Sequence, residues 1–164
     1  MRMKLQFTYS LEKLLVLDGN NNVIKSIGAF SRVRNERNHE RPDTSRLPDI
    51  AYSENSDGSD GKPTMPRSFP LGTWNISGKA RTTEKWLQPI KFITDATQKV
   101  AVWTLKEDGS YNRATTELID DYGYRIHFAN GSNHTDGCIG VNDIEDMLWL
   151  DANVPLPTTI SVIA

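Results

Sequence analysis

Cysteine is almost absent from this chain of 164 residues, since Cys138 is its single cysteine. One cysteine cannot form an internal disulfide, and it cannot supply a zinc site built on several thiolates. Two common ways of stabilising a small domain are therefore excluded. Cys138 is either a small buried apolar residue or a chemically active group.

An excess of one charge and long apolar runs are missing as well. The 19 Lys and Arg residues nearly balance 21 Asp and Glu residues, which leaves a net charge of −2. Domains that bind nucleic acid typically carry a basic excess, so nucleic acid is not an expected partner. No apolar stretch is long enough for membrane insertion. Residues 1–9 alternate polar with apolar residues, whereas a signal peptide has about 7 to 15 apolar residues in a row. We therefore expect no signal peptide.

What the chain does contain is a series of short strand patterns separated by turns. The length predicts a single domain over residues 1–164, and the fold class is mainly β. One helix is predicted over residues 143–150, capped by Asn142 or Asp143, because Ile144, Met147 and Leu148 fall on one face. The predicted strands cover residues 5–9, 14–17, 23–27, 73–77, 90–93, 100–105, 122–128 and 158–163.

A polar segment interrupts this pattern over residues 31–62. It has five Arg residues between positions 32 and 46 and four acidic residues after them, and almost no apolar ones. Because it shows neither helical nor strand periodicity, we interpret it as a solvated insertion in the domain. A lid that contacts substrate and a self-complementary insertion are the open alternatives.

Reactive side chains concentrate between residues 124 and 140. Alternation along the strand at 122–128 places Tyr122 with the core-facing residues, and it places Arg125 and His127 together on the opposite face. Cys138 follows His127 by eleven positions. A cysteine attacks carbonyl carbons as its thiolate, which a nearby imidazole stabilises. The pattern thus indicates a nucleophile and its base.

Gly137 precedes this cysteine and permits a tight turn. Such a turn lets the backbone amides of Gly137 and Cys138 face a developing oxyanion. Two other interpretations stay open: a structural cysteine and histidine, and a zinc hydrolase. The zinc hydrolase would use His127, His134 and Cys138, with Asp136 nearby.

These residues resemble the signature of a known family. Ile126-His127, Asn130 and the sequence Thr135-x-Gly137-Cys138-Ile139 are similar to the L,D-transpeptidase (YkuD-like) catalytic domain family, in which a His precedes a Ser/Thr-x-Gly-Cys segment. Residues 66–76 and the hairpin around residues 18–19 resemble its upstream strands. The resemblance covers most of the chain and implies a β-sandwich or barrel with one or two short helices, without metal or cofactor.

The resemblance also implies an activity on peptidoglycan stem tetrapeptides. Cys138 would attack the carbonyl of the residue at stem position three, with His127 as base, and D-alanine would leave. The thioester would pass to an amine, in transpeptidation or D-amino-acid exchange, or to water, in L,D-carboxypeptidase trimming. Substrate contacts are expected from Arg125, Asn130, Thr135 and Asp136.

Two positions depart from the family pattern. Asp136 and Gly140 stand where family members commonly have His and Arg, and the short interval from His127 to Cys138 resembles compact variants in phage-like and secretion-effector proteins. We therefore expect an antibacterial effector delivered to the periplasm of a target bacterium, or a protein released by lysis. An effector would need an immunity protein. The alternative is a non-catalytic wall-binding or phage structural module on the same fold.

Overall fold

The computed structural model describes residues 2–31, 68–81, 90–105, 111–131, 135 and 137–164, with backbone alone for 100–105, 111–119 and 121. These residues form ten strands and one helix, and eight of the strands close into a barrel. This architecture confirms the predicted mainly β fold. The strands are β1 (Lys4–Thr8), β2 (Lys13–Leu17), β3 (Val23–Phe30), β4 (Gly72–Arg81), β5 (Ile90–Thr94), β6 (Gln98–Leu105), β7 (Tyr111–Asp121), β8 (Arg125–Phe128), β9 (Ile139–Val141) and β10 (Thr158–Ile163), and the helix is α1 (Ile144–Asn153).

The barrel strands follow the order β1, β10, β4, β5, β8, β9, β3 and β2. Two neighbouring pairs are parallel, β1 with β10 and β8 with β9, and the other pairs are antiparallel. Alternate residues of each strand face the interior, which is filled by aliphatic and aromatic side chains. The largest fully buried ones include Phe7, Leu14, Ile27, Ile76, Phe92, Ile126 and Ile139.

Helix α1 connects the end of β9 to the start of β10, and it contacts β5, β8 and β9. Asp143 caps it as predicted, because the side-chain Oδ1 accepts a hydrogen bond of 2.9 Å from the Glu145 N–H. Met147 and Leu150 are fully buried in the barrel core. The helix continues three residues beyond the predicted end, since apolar periodicity stops at Leu150 while the helical backbone does not. Within the described ranges, no helix is long and apolar enough to cross a membrane.

Strands β6 and β7 pair with each other outside the barrel. The prediction of one strand over residues 122–128 was wrong in its extent, because β8 begins at Arg125 and β7 ends at Asp121. Tyr122 is 39% exposed and does not share the core face. The polar sequence of β7 and the three-residue length of β9 gave no alternating signal, and so neither strand was predicted. The predicted turn at 108–109 lies outside the described residues.

One ion-pair cluster ties α1 to β4. Asp151 accepts hydrogen bonds from Lys79 Nζ at 2.6 Å and from Arg81 Nη2 at 3.1 Å. Burial raises the pKa of the Asp151 carboxyl, but hydrogen bonds from the two cations outweigh that effect and hold it below its ordinary value of 3.8. Because the folded-state pKa is depressed, this carboxylate stabilises the fold above the unfolded-state pKa, and the stabilisation is lost as pH falls through the folded-state pKa.

We expect Asp151→Asn to lower the free energy of unfolding near neutral pH by at most about 1 kcal/mol, since Lys79 and Arg81 are partly exposed and water screens the pair. The deficit should shrink as pH falls below 3.8. Urea unfolding of both proteins across this range measures it. Asp146→Asn, which removes a charge from the same helix, is the matched control and should cost less, because its contact with Lys25 is 3.5 Å long. A deficit independent of pH would contradict the prediction.

Candidate active site

The parallel pairing of β8 with β9 brings His127 and Cys138 to one face of the barrel. Ile126 is in register with Ile139, and His127 is in register with Gly140. Because Ile126 and Ile139 face the core, His127 and the residues flanking Ile139 face outward. Cys138 immediately precedes β9, so strand rise and spacing put its Cα about 8 Å from that of His127. A cysteine and a histidine side chain together can span this separation.

The imidazole of His127 is held in one orientation. Its ring is outward-facing but only 6% exposed. The Nδ1 atom lies 2.9 Å from the Phe128 carbonyl oxygen. Because a carbonyl oxygen only accepts, Nδ1 carries the hydrogen in the neutral ring, and Nε2 carries the lone pair. The ring therefore has the tautomer that a general base requires.

Cys138 lies at the end of a tight turn that starts at Thr135. Gly137 has a φ of +109°, in the region that favours glycine. The Cys138 N–H donates to the Thr135 carbonyl at 3.4 Å, a length at the weak end for such bonds. In return, the Thr135 hydroxyl donates to the Cys138 carbonyl. The half-buried Cys138 Sγ lies 4.0 Å from the carbonyl oxygen of Gly123, just before β8.

The other predicted site residues separate into three groups. Arg125 lies at the start of β8 on the face of His127, and continuation of the register places it across from Cys138. Asn130 is exposed and follows the end of β8, and its contact with substrate stays a prediction. Asp136 and His134 lie outside the described residues, so the structure does not test the zinc interpretation.

Gly140 carries a steric constraint that sequence reasoning missed. A Cβ atom there would lie 2.6 Å from Thr135 Cγ2 and 3.1 Å from Ala129 Cβ. The Thr135 methyl group thus occupies the space of a side chain at position 140. Since the Thr135 hydroxyl is bonded to Cys138, this methyl cannot move away without disturbing the turn. The glycine, noted only as a departure from a family pattern, is required by packing.

We expect Gly140→Ala to lower the free energy of unfolding by about 1–3 kcal/mol, the usual cost of overpacking. Thr135→Ser removes the opposing methyl and keeps the hydroxyl, so the double variant should recover part of the loss. Urea unfolding of the two single variants and the double variant measures this coupling. Gly78→Ala is the matched control, because nothing lies within 4 Å of its added Cβ. Strictly additive effects would contradict the contact.

Ser31 is a second residue that sequence reasoning missed. It was assigned to the polar segment at 31–62, but it is 5% exposed and belongs to the barrel wall beyond β3. Its hydroxyl donates to the Gly137 carbonyl at 3.0 Å and accepts from the Phe69 N–H at 2.9 Å. Residues 32–62 of the segment lie outside the described residues. The local sequence carried no signal for this role, because both partners of Ser31 are far from it in the chain.

Comparisons with known proteins found one matching family and a similar solved structure. Residues 32–162 match the family model described as the L,D-transpeptidase catalytic domain, YkuD. The fold is similar to the crystal structure of an L,D-transpeptidase from Xylanimonas cellulosilytica DSM 15894, with a TM-score of 0.51 and 14% identity. The alignment covers 98% of this chain and 60% of that one. A search of curated proteins found no match.

Proposed function

The chain belongs to the L,D-transpeptidase catalytic domain family, and from this membership we propose that it is a cysteine-dependent enzyme acting on peptidoglycan stem tetrapeptides. One observation carries the proposal: parallel pairing of β8 with β9 puts His127 and Cys138 on the same face, with the lone pair of the imidazole on Nε2. The chain spans 60% of the solved structure that it resembles.

In the first half-reaction, the Cys138 thiol is acylated. Nε2 of His127 takes the proton from Sγ, and the thiolate attacks the carbonyl carbon of the third stem residue. The carbonyl electron pair moves to oxygen, where the Cys138 N–H stabilises it. As the oxyanion collapses, the bond to the D-alanine nitrogen breaks, and that nitrogen takes the proton from Nε2. The products are a thioester on Cys138 and free D-alanine.

In the second half-reaction, an acceptor attacks the thioester carbon and Sγ leaves. His127 takes a proton from the acceptor and returns it to the thiolate, which regenerates the resting pair. An amine of another stem gives a cross-link, a free D-amino acid gives exchange, and water gives carboxypeptidase trimming. The half-buried position of Cys138 is compatible with all three acceptors.

Arg125 is proposed as the cation that binds the terminal carboxylate of the stem. A guanidinium binds a carboxylate through two parallel hydrogen bonds. Position 140, where family members commonly have Arg, has no room for a side chain, because the Thr135 methyl lies against it. Arg125 is on the same face as His127, and continuation of the register between β8 and β9 places it across from Cys138. Thr135 and Asp136 are the further proposed contacts.

The proposal is tested by incubating purified tetrapeptide stems with the protein and measuring loss of D-alanine by mass spectrometry. We expect loss of D-alanine that persists in a metal chelator and stops after treatment with iodoacetamide. Inhibition by the chelator, with no effect of the alkylating agent, would instead favour the zinc hydrolase. Unchanged stems under every condition would favour the non-catalytic wall-binding module and overturn the proposal.

The proposed place of action is the periplasm of a target bacterium, reached through a secretion system or by lysis, because the wall substrate lies there. An immunity protein would then protect the producing cell. Expression in a Gram-negative host, with and without an added export signal, tests this proposal. Lysis that requires both the export signal and Cys138 would support it, and equal growth of all strains would contradict it.

A further inference from the structure

The Ser31 hydroxyl joins the turn of Cys138 to the wall of the barrel. It uses its one hydrogen on the Gly137 carbonyl and accepts the Phe69 N–H on a lone pair. Phe69 is itself fixed, because its side chain is 2% exposed and its carbonyl accepts a hydrogen bond from the Tyr9 hydroxyl at 2.5 Å. Ser31 therefore fastens the Gly137 carbonyl to a rigid part of the fold.

Fixing this carbonyl also fixes the amide of Cys138. The Gly137 carbonyl and the Cys138 N–H belong to one planar peptide unit, in which the two bonds point in opposite directions. The φ of +109° at Gly137 lies in the region that favours glycine, so this residue permits the turn that leads into the peptide. The Cys138 N–H donates to the Thr135 carbonyl at 3.4 Å, a long and weak hydrogen bond, whereas the bond from Ser31 to the Gly137 carbonyl is 3.0 Å.

We propose that Ser31 is a positioning residue, which orients the Gly137–Cys138 peptide so that its N–H stabilises the oxyanion during acylation of Cys138. The inference rests on the proposed role of Cys138 as nucleophile. Ser31 does not touch the substrate and acts through the peptide unit alone. Its loss should slow reactions at Cys138 that pass through an oxyanion, and it should spare those that do not.

Two simple reagents separate these reactions. Acetyl transfer from p-nitrophenyl acetate to Sγ passes through an oxyanion, breaks the ester bond and releases p-nitrophenolate. Alkylation by iodoacetamide forms a carbon–sulfur bond and expels iodide, with no oxyanion. Because Cys138 is the single cysteine, each rate reports one thiol. Labelling with ¹⁵N-cysteine likewise gives one amide resonance, that of Cys138.

The experiment compares the wild type with Ser31→Ala, Ser31→Thr and Thr158→Val, all at a temperature where circular dichroism shows them folded. Thr158→Val is the matched control, since it removes a hydroxyl that donates to the Met3 carbonyl. Met3 directly precedes β1, at the end of the barrel opposite to Ser31. For Ser31→Ala we expect acetylation to fall at least about tenfold, less than the 10²–10³ that complete loss of an oxyanion donor costs. Alkylation should stay within about twofold, because the thiol itself is unchanged.

The ¹⁵N resonance of Cys138 should shift in Ser31→Ala and return toward its wild-type position in Ser31→Thr, along with the acetylation rate. Equal changes in both reactions, or an unmoved resonance, would overturn the inference, as would an equal loss in Thr158→Val. If Ser31→Thr fails to fold, Ser31→Ala and the control still decide between these outcomes. Release of D-alanine from tetrapeptides is measured in parallel. If the wild type is acetylated but releases no D-alanine, the proposed function is refuted. The rates of acetylation and alkylation then still decide whether Ser31 positions the peptide.

Discussion

Cys138→Ala should leave tetrapeptide stems intact, with a rate of D-alanine release reduced by roughly three to six orders of magnitude. Cys138 is the only thiol of the chain, so no other sulfur can form the thioester. Its side chain is small and half-buried, and it contributes little to the core. The free energy of unfolding should therefore change by less than about 1 kcal/mol.

Mass spectrometry of stems measures the first effect, and urea unfolding measures the second. Cys138→Ser is the matched variant, since it keeps a hydroxyl in place of the thiol and should also be strongly impaired because a hydroxyl is the weaker nucleophile. Wild-type levels of D-alanine release from Cys138→Ala would remove the thiol from the reaction. A variant that fails to fold would instead assign Cys138 a structural role.

His127→Asn should lower D-alanine release by roughly 10²–10⁴-fold, the usual contribution of a general acid and base. Asparagine is the chosen replacement because its side-chain NH₂ can take the place of Nδ1 and donate to the Phe128 carbonyl, which accepts from His127 at 2.9 Å. The hydrogen bond to the backbone would be kept, while the basic Nε2 would be lost.

The reaction with iodoacetamide distinguishes this variant from Ser31→Ala. Without the imidazole the thiolate is less favoured, so alkylation of Cys138 should slow in His127→Asn together with acyl transfer. Thermal unfolding monitored by circular dichroism serves as the control for the fold. Full activity of His127→Asn would exclude this histidine as the base, and a different group would have to take the proton from Sγ.

The sequence allowed much of the barrel to be predicted, because most strands that line it alternate cleanly. The strand predicted over residues 14–17 falls within β2, where Leu14 and Val16 are fully buried. The strand β10 begins and ends where its β-branched run does. Strand β7 was missed because its sequence is polar and does not alternate, whereas its strand structure comes from pairing with β6.

The sequence indicated a candidate site at His127 and Cys138, but it did not indicate the residues that support the turn before Cys138. His127 and Cys138 were identified because a reactive pair near a Gly-containing loop has a recognisable composition. Ser31 contacts Gly137, which is 106 residues away in sequence. The constraint on Gly140 comes from the methyl group of Thr135, whose position depends on the folded turn. No local pattern encodes such contacts. Asn130 was expected at the site from the family resemblance, and its role stays a prediction.

Closure of the barrel fixes the register of β8 and β9, and with it the positions of His127 and Cys138. Strand β8 is bonded to β5 on one side and β9 to β3 on the other. A shift of β9 by one residue along β8 would turn Cys138 toward the interior. At the edge of an open sheet such a slip changes one strand pair. In this barrel each strand is hydrogen-bonded to two neighbours, so the other strands would have to shift as well. The spacing of Cys138 and His127 therefore depends on the closed barrel as a whole.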